Sequence, residues 1–263
     1  MHSPDEAQLL TALNEFVSDV DGTGDLERLE DAFSEFNLFE AIGAVQSELR
    51  QSSFLAWLLN PNGSHGLGDL IAKRVLQRVL LHGVAQSSLT PVDLDLLDLS
   101  DMEVRREWAN IDILLLSPTN KLVVVIENKI GAPEGRTQLA RYRERVESDF
   151  PKAEWRHVLI FLTVEGSTAS EEAYVSLSHR QVVELLEATV LNRKGAIQDE
   201  VAVAITHYTQ MMRRNHMEDS QLIALARRIY ARHKFALDFI FDNRPDGWTD
   251  TRDKLLKLMI GWK

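Results

Sequence analysis

Three charged residues, Asp112, Glu127 and Lys129, stand at the ends of two short apolar runs in the middle of this 263-residue chain. The runs cover residues 111–116 and 122–126, so the charges belong to segments that are predicted to be buried. A buried carboxylate without a partner is costly or takes up a proton, and a divalent metal removes that cost. Two acids, a metal, a water and a lysine can hydrolyse a phosphodiester. The alternative is a structural ion pair between Lys129 and one of the acids, because charged strand ends are common.

The geometry of β-strands predicts that all three side chains share one face. Both runs are rich in β-branched residues and leucine and are joined by a Ser-Pro-Thr-Asn turn, which predicts a hairpin. If Leu116 pairs with Lys121, Asp112 lies diagonally across from Glu127, about 7–8 Å away at the backbone. Lys129 follows Glu127 by two residues and therefore points the same way. At that separation both acids can reach one Mg²⁺, which takes oxygen ligands.

These residues and their order resemble the PD-(D/E)xK nuclease superfamily. The matching segments are Ile-Asp-Ile around Asp112 and Ile-Glu-Asn-Lys at residues 126–129, although no proline precedes the aspartate. The resemblance implies that Asp112 and Glu127, with the backbone carbonyl of Asn128, bind Mg²⁺ or Mn²⁺. It also implies that Lys129 positions or activates the water that attacks the phosphodiester, with no covalent enzyme intermediate.

Further segments carry the resemblance, which covers about residues 37–165. The Gln-Leu-Ala-Arg-Tyr segment from Gln138 to Tyr142 is similar to the Gln-xxx-Tyr motif of the RecB-like and Cas4-like branch. This similarity implies that Gln138 serves the catalytic centre and that Tyr142 supports the substrate. Glu48 matches an acidic residue that many members add to the metal site. Residues 54–68 are similar to an uncharacterised bacterial subgroup, and such domains act in phage defence and DNA repair.

The position of Glu48 is also informative apart from the family resemblance. Asn37, followed three residues later by a glutamate, has the spacing of a capping box and predicts a helix that runs to the Asn-Pro-Asn-Gly turn at residues 60–63. Glu48 occupies a position on the buried stripe of that helix, which otherwise holds Ala41, Val45, Ser52, Leu55 and Leu59. A carboxylate there favours a metal-binding role. The alternative is that Glu48 flanks the stripe and pairs with Arg50.

Two basic side chains are candidate substrate contacts. Arg136 begins a predicted helix over residues 136–149 that carries four arginines, so it could meet a phosphate. Such arginines usually form a solvated face. His65 lies in a tight loop between two predicted helices and could contact a phosphate or a metal. A lone loop histidine more often caps a helix or satisfies a core carbonyl. Glu107, near the hairpin, could support Asp112 or simply lie on the surface.

The chain is predicted to be an α/β protein. Residues 103–108 and 155–164 are predicted strands, and the second of these follows the helix over residues 136–149. A strand–helix–strand connection implies that the strand over residues 155–164 runs parallel to the second hairpin strand. The predicted core is therefore αβββαβ, a mixed central sheet flanked by helices, which the resemblance identifies with a restriction-endonuclease-like core.

Helical additions are predicted at both ends. The predicted domains are an acidic helical segment over residues 1–36, the nuclease-like core over residues 37–165, and a helical region over residues 166–263 that packs on the core. Outside the core, apolar residues at helical spacing predict helices near residues 4–20, 26–36, 178–191, 197–217, 219–241 and 249–260.

Composition limits the function classes. The net charge of −11 comes from the first 48 residues, which hold twelve acids and one base, so phosphate contacts would come from local basic clusters. The chain has no cysteine, which excludes disulfides and thiolate metal sites. No run reaches the ~20 apolar residues of a membrane span. The acidic N-terminus is unlike a secretion signal, so a cytoplasmic location without membrane contact is expected.

Two functions are open from the sequence. The first is a Mg²⁺- or Mn²⁺-dependent nuclease whose partner is nucleic acid, with DNA favoured over RNA. The second is a catalytically silent nuclease fold that acts as a scaffold or binding protein in a larger complex, which the acidic N-terminus favours. A homo-oligomer or a protein partner fits either function. The intact set of Asp112, Glu127 and Lys129 favours the enzyme, because no structural role needs all three together.

Overall fold

The computed structural model describes residues 6–82, 89–217 and 220–244. Its helices are α1 (Glu6–Thr23), α2 (Asp25–Ser34), α3 (Leu38–Ala41), α4 (Glu48–Leu59), α5 (Leu70–His82), α6 (Pro91–Leu96), α7 (Gln138–Asp149), α8 (His179–Asn192), α9 (Asp199–His216) and α10 (Ser220–Asp242). Its strands are β1 (Glu103–Trp108), β2 (Ile111–Ser117), β3 (Leu122–Lys129), β4 (Arg156–Thr163) and β5 (Tyr174–Ser178). The helix predicted near residues 249–260 lies outside the described residues.

The five strands form one mixed sheet in the order β1-β2-β3-β4-β5. The pairs β1–β2 and β2–β3 are antiparallel, whereas β3–β4 and β4–β5 are parallel. Helix α7 makes the crossover between β3 and β4. The predicted α/β fold, a mixed central sheet flanked by helices, is therefore confirmed. Strand β5 was not predicted, and it extends the sheet beyond the predicted core.

The sheet separates two apolar layers. On one face its side chains pack with α4, α5, α8 and α9, and on the other face they pack with α7. Strand β3 contributes to both layers by alternation: Val124 and Ile126 enter the first layer, while Val123 and Val125 enter the second. This alternation continues to the end of the strand and directs Glu127 toward the α7 layer.

The hairpin register differs by two residues from the prediction. Leu116 pairs with Val123 rather than with Lys121. Lys121 belongs to the turn, where it adopts a left-handed φ of 49°. The carboxylate of Asp101 stabilises this turn and accepts a hydrogen bond of 2.6 Å from Oγ of Ser117. Because the shift is an even number of residues, every side chain stays on its predicted face.

The single helix predicted from Asn37 onward is in fact two helices. Asn37 caps α3 through its side chain, while the glutamate three residues later bonds elsewhere in the fold. Gly43 then adopts a φ of 68°, which side-chain-bearing residues rarely take, and the chain leaves the helix. Ser47 caps the next helix, α4. Glu48 is therefore the first residue of α4 rather than part of a helix interior.

The described residues fall into two compact units. Helices α1, α2 and α10 form one unit, in which Asp25 of the acidic N-terminal segment pairs with Arg228 of α10 at 3.2 Å. The sheet and helices α3 to α9 form the other unit. The three predicted domains stay a prediction, although β5, α8 and α9 lie in the unit of the sheet. Within the described ranges, no helix has the length and apolar character needed to span a membrane.

Candidate active site

The structure brings the three charged residues of the hairpin together at one edge of the sheet. Asp112 lies at the start of β2, and Glu127 and Lys129 lie at the end of β3. The observed pairing of Ile113 with Ile126, continued by one residue, places Asp112 directly opposite Glu127. Glu127 is only 1% exposed, so its charge depends on the groups that surround it.

Lys129 links two acids. Its Nζ lies 2.9 Å from Oε1 of Glu127 and 3.6 Å from Oε2 of Glu48. Glu48 reaches the sheet from the first turn of α4, where the helix dipole favours a negative charge. Oε1 of Glu48 also accepts a hydrogen bond of 2.9 Å from the backbone N–H of Ile130. Glu48 therefore joins α4 to the end of β3.

Helix α7 supplies two side chains that cover Glu127. Nε2 of Gln138 donates to Oε1 of Glu127 at 2.7 Å and to the hydroxyl of Tyr142 at 3.0 Å. Oε1 of Gln138 accepts a hydrogen bond of 3.0 Å from the backbone N–H of Gly135. Gln138 and Tyr142 are four residues apart and share one face of the helix. All hydrogen-bonding atoms of the Gln138 amide are thus committed to the site and its adjoining loop.

Burial makes negative charge costly at this site. It raises the pKa of Glu127 to about 7, with the charge of Asp112 adding to the effect and Lys129 opposing it. Burial also raises the pKa of Asp112, although the backbone N–H of Asn128 and the charge of Lys129 oppose the shift. For Lys129, burial alone lowers the pKa, but the hydrogen bond and the charge of Glu127 outweigh burial and the pKa is raised. Lys129 is therefore an ammonium at neutral pH.

The carboxylates fit one more positively charged partner. Oε2 of Glu127 is buried and has no hydrogen-bond partner among the described residues. An unpartnered buried acceptor costs about 1–3 kcal/mol, and carboxylate oxygens suit hard cations such as Mg²⁺ or Mn²⁺. Asp112 and Glu127, with Glu48 beside them, provide such oxygens. As the side chains stand, no group of three or more His, Cys, Asp or Glu residues in the described ranges is arranged to hold a metal ion.

A buried polar network that sequence reasoning missed lies behind the Glu-Asn-Lys segment. The backbone N–H of Asn128 donates to Oδ2 of Asp112 at 2.7 Å. Nδ2 of Asn128 donates to Oγ of Ser52 at 3.0 Å, and Oδ1 accepts from Nε2 of His179 at 2.7 Å. Strand alternation predicts that Asn128 faces away from Glu127. Nothing in the sequence marks Ser52 and His179 as its partners, because they lie 76 and 51 residues away along the chain.

His65 does not reach this site. Its Nε2 bonds the carbonyl of Asn60 at 2.8 Å, and its Nδ1 accepts the backbone N–H of Leu67 at 3.0 Å. These contacts lie at the C-terminal end of α4, whose twelve residues span about 18 Å from the end that carries Glu48. Neither ring nitrogen is left for a phosphate or a metal. This corrects the predicted role of His65, which satisfies a core carbonyl instead.

Two other predicted residues border the site. Arg136 is exposed two residues before Gln138, and its side chain makes no hydrogen bond or ion pair with any residue that the structure describes. Glu107 is exposed near the end of β1, with a left-handed φ of 53°. The register of β1 with β2 aligns Glu107 with Asp112, and its charge adds to the effect of burial on the pKa of Asp112. Arg136 is therefore available for a phosphate, while Glu107 adds negative charge.

Comparison with known families gives one match. A family model described as the PD-(D/E)XK nuclease superfamily matches residues 36–232, which is more than half of the chain. The matched range contains every side chain of the site, from Glu48 to His179. No curated protein and no solved structure matches the chain.

Proposed function

We propose that this chain, which belongs to the PD-(D/E)XK nuclease superfamily, hydrolyses phosphodiester bonds of nucleic acid. The proposed substrate is DNA, and the proposed cofactor is Mg²⁺ or Mn²⁺. One observation carries the proposal. Glu48, Asp112, Glu127 and Lys129 converge at one edge of the sheet, and one buried oxygen of Glu127 has no partner within the described residues.

Three carboxylates and one carbonyl are the proposed metal ligands. Asp112 and Glu127 bind the ion, with the backbone carbonyl of Asn128 as a further ligand and Glu48 as the third acid. The backbone N–H of Asn128 holds Oδ2 of Asp112, which orients this carboxylate. When bound, the metal polarises the phosphate and lowers the pKa of the attacking water.

Lys129 has the geometry of a hydrogen-bond donor to the attacking water. Its ammonium carries three N–H groups, and Glu127 and Glu48 lie on two sides of it at 2.9 and 3.6 Å. The third N–H remains for a water or a phosphate oxygen. Because the pKa of Lys129 is raised, the group keeps its proton at neutral pH. It therefore orients the water or stabilises charge on the phosphate rather than accepting a proton.

The residues of α7 support this centre. Gln138 holds Oε1 of Glu127, and Tyr142 accepts a hydrogen bond from the same amide nitrogen. Tyr142 is 6% exposed, so it acts mainly by supporting Gln138 from the protein side. Arg136, exposed at the entry to α7, is placed to neutralise a phosphate of the incoming strand.

A cleavage assay tests the proposal. Wild type, Asp112→Asn and Glu127→Gln would be incubated with linear, circular and single-stranded DNA and with RNA, in Mg²⁺, Mn²⁺ or EDTA. A matched control is Asp149→Asn, which removes an acid at the far end of α7 that pairs with Arg145 at 2.9 Å. We expect metal-dependent cleavage of DNA by wild type and the control, and no cleavage by the two site variants.

The other outcomes separate the competing functions. Cleavage of RNA in preference to DNA would replace the proposed substrate. Absence of cleavage together with absence of Mn²⁺ binding by calorimetry would favour the catalytically silent scaffold. Full activity in Asp112→Asn or Glu127→Gln would overturn the assignment of the site.

A further inference from the structure

A chain of buried hydrogen bonds joins α4 and α8 to the strand that carries Glu127 and Lys129. Asn128 stands between these two residues, and its side chain turns to the opposite face of the sheet. There it bonds Ser52 of α4 at 3.0 Å and His179 of α8 at 2.7 Å. Asn128 and His179 are 0% exposed and Ser52 is 2% exposed, so solvent cannot replace a lost bond.

The network engages both ends of the Asn128 side chain. Its amide oxygen accepts from His179 while its amide nitrogen donates to Ser52, so each partner selects one end of the side chain. Because the amide oxygen of Asn128 can only accept, Nε2 of His179 carries the N–H of this bond. With the side chain fixed, the backbone N–H of Asn128 points at Oδ2 of Asp112, 2.7 Å away.

Ser52 also bears on the position of the third acid. It lies four residues after Glu48 and therefore on the same face of α4. Glu48 accepts the backbone N–H of Ile130 at 2.9 Å, and Ser52 accepts from Asn128 at 3.0 Å. Two hydrogen bonds one helical turn apart therefore dock α4 against the end of β3. Loss of the bond between Ser52 and Asn128 would leave the bond between Glu48 and Ile130 as the main polar contact between α4 and the end of β3.

We propose that Ser52 and His179 are positioning residues of the active centre, which act through Asn128 to hold Asp112 and Lys129 in place. The inference rests on the proposed function for its catalytic consequence. Its geometric consequence, the ordering of the backbone at residues 128–130, can be measured in the metal-free protein.

The test compares disruptive and conservative changes at the two positions. Ser52→Ala and His179→Leu remove the bonds, whereas Ser52→Thr and His179→Gln keep a hydroxyl and an N–H donor. Thr189→Val is the matched control, because Thr189 is a buried residue of α8, 1% exposed, whose hydroxyl donates to the carbonyl of Leu185 in the same helix. The readouts are hydrogen exchange at the backbone N–H of Asn128 and Ile130 without metal, and kcat and KM for cleavage with Mg²⁺.

We expect exchange at both amides to accelerate by about tenfold or more in Ser52→Ala and His179→Leu. We also expect kcat to fall by about tenfold or more with little change in KM, because substrate binding is left intact. Ser52→Thr and His179→Gln should recover most of both losses, and Thr189→Val should change neither. If His179→Leu does not fold, the Ser52 pair decides the question.

Unchanged exchange and unchanged kcat in Ser52→Ala would overturn the proposal, as would equal losses in Thr189→Val. If the wild type cleaves no nucleic acid, the proposed function fails, and the exchange data alone decide whether Ser52 and His179 order residues 128–130.

Discussion

Gln138 and Glu127 form a side-chain hydrogen bond in which Nε2 donates to Oε1 at 2.7 Å. Nζ of Lys129 lies 2.9 Å from the same oxygen. Oε1 therefore has two donors, whereas Oε2 has none among the described residues. This asymmetry holds the Glu127 carboxylate in one orientation and leaves its second oxygen for a cation. Gln138 thus determines which oxygen of Glu127 faces the proposed metal.

Replacing Gln138 with methionine should slow cleavage without unfolding the protein. Methionine keeps the length of the side chain but removes the donor to Glu127, so the carboxylate can rotate. Loss of a hydrogen bond to a charged group costs about 1.5–3 kcal/mol, which corresponds to about a 10- to 100-fold lower rate. The measurement is the single-turnover cleavage rate in Mg²⁺. The control is Gln77→Met, which removes a hydrogen bond of 3.2 Å from Gln77 of α5 to Asp95 of α6. It should leave the rate unchanged.

Metal binding should release protons near neutral pH. Because the pKa of Glu127 is raised to about 7, the metal-free protein holds a proton there that the metal must displace. The apparent affinity for Mn²⁺ should therefore increase as pH rises from 6 to 8. Calorimetry in two buffers of different ionisation enthalpy measures the protons released. Glu127→Gln should release none from this position, and an affinity that does not change over this range would contradict the prediction.

The apolar runs predicted the strands well, but their exact pairing depended on distant residues. Strands β1 to β4 form where the sequence patterns placed them, because short apolar segments between turns have few other ways to be buried. The register was wrong by two residues, since Asp101 stabilises a turn that includes Lys121. A capping interaction with a residue 16 positions away leaves no local signal.

The same limit applies to the site. The positions of Asp112, Glu127 and Lys129 follow from strand alternation, which is a local property. The contribution of His179 does not follow from a local property. It depends on β5, a five-residue strand that is only partly buried and whose apolar pattern is weak. His65 shows the converse, since its residue type suggested chemistry while its neighbours use both ring nitrogens for structure.

Removing the ammonium of Lys129 should affect both activity and pH-dependent stability. In Lys129→Met the buried carboxylate of Glu127 loses its only ion-pair partner in the described residues, so cleavage should fall by about 100-fold or more. Without metal, the lost charge raises the pKa of Glu127 further. The folded state then holds its proton more tightly than the unfolded chain, whose Glu127 titrates near 4.5, and stability is lost as pH rises through 7.

Urea denaturation of the metal-free protein at pH 5 and pH 8 measures this effect. Lys129→Met should lose more stability at pH 8, where Glu127 is ionised, than at pH 5, where Glu127 is protonated and the loss is mainly that of the 3.6 Å pair with Glu48. The control is Lys73→Met, which breaks a surface-side pair with Asp69 at 3.0 Å and should change stability equally at both values. Equal losses at both pH values in Lys129→Met would show that Glu127 does not carry the effect.

Three histidines, of which His65 and His179 are buried and His157 is half-buried, should make the fold sensitive to acid. Burial lowers the pKa of His179 to about 3 and also lowers the pKa values of His65 and His157, from 6.5 in each case. The unfolded chain therefore binds more protons than the folded protein below about pH 6.5, so stability falls as pH decreases from 6.5 toward 5. Glu127 acts in the opposite direction between about pH 4.5 and 7, because its pKa is raised on folding.

The two opposing effects can be separated by measuring how the histidines affect the pH dependence of stability in a Glu127→Gln background. There the free energy of unfolding, followed by urea denaturation from pH 7.5 to 5, should fall more steeply than in wild type. Adding His65→Gln to that background should lower stability at every pH but flatten the slope, because one proton-binding difference is removed. If His65→Gln leaves the slope unchanged, the ring of His65 must be protonated in the folded state. Its bonds to Asn60 and Leu67 argue against that state, because Nδ1 accepts the N–H of Leu67 and therefore carries no proton.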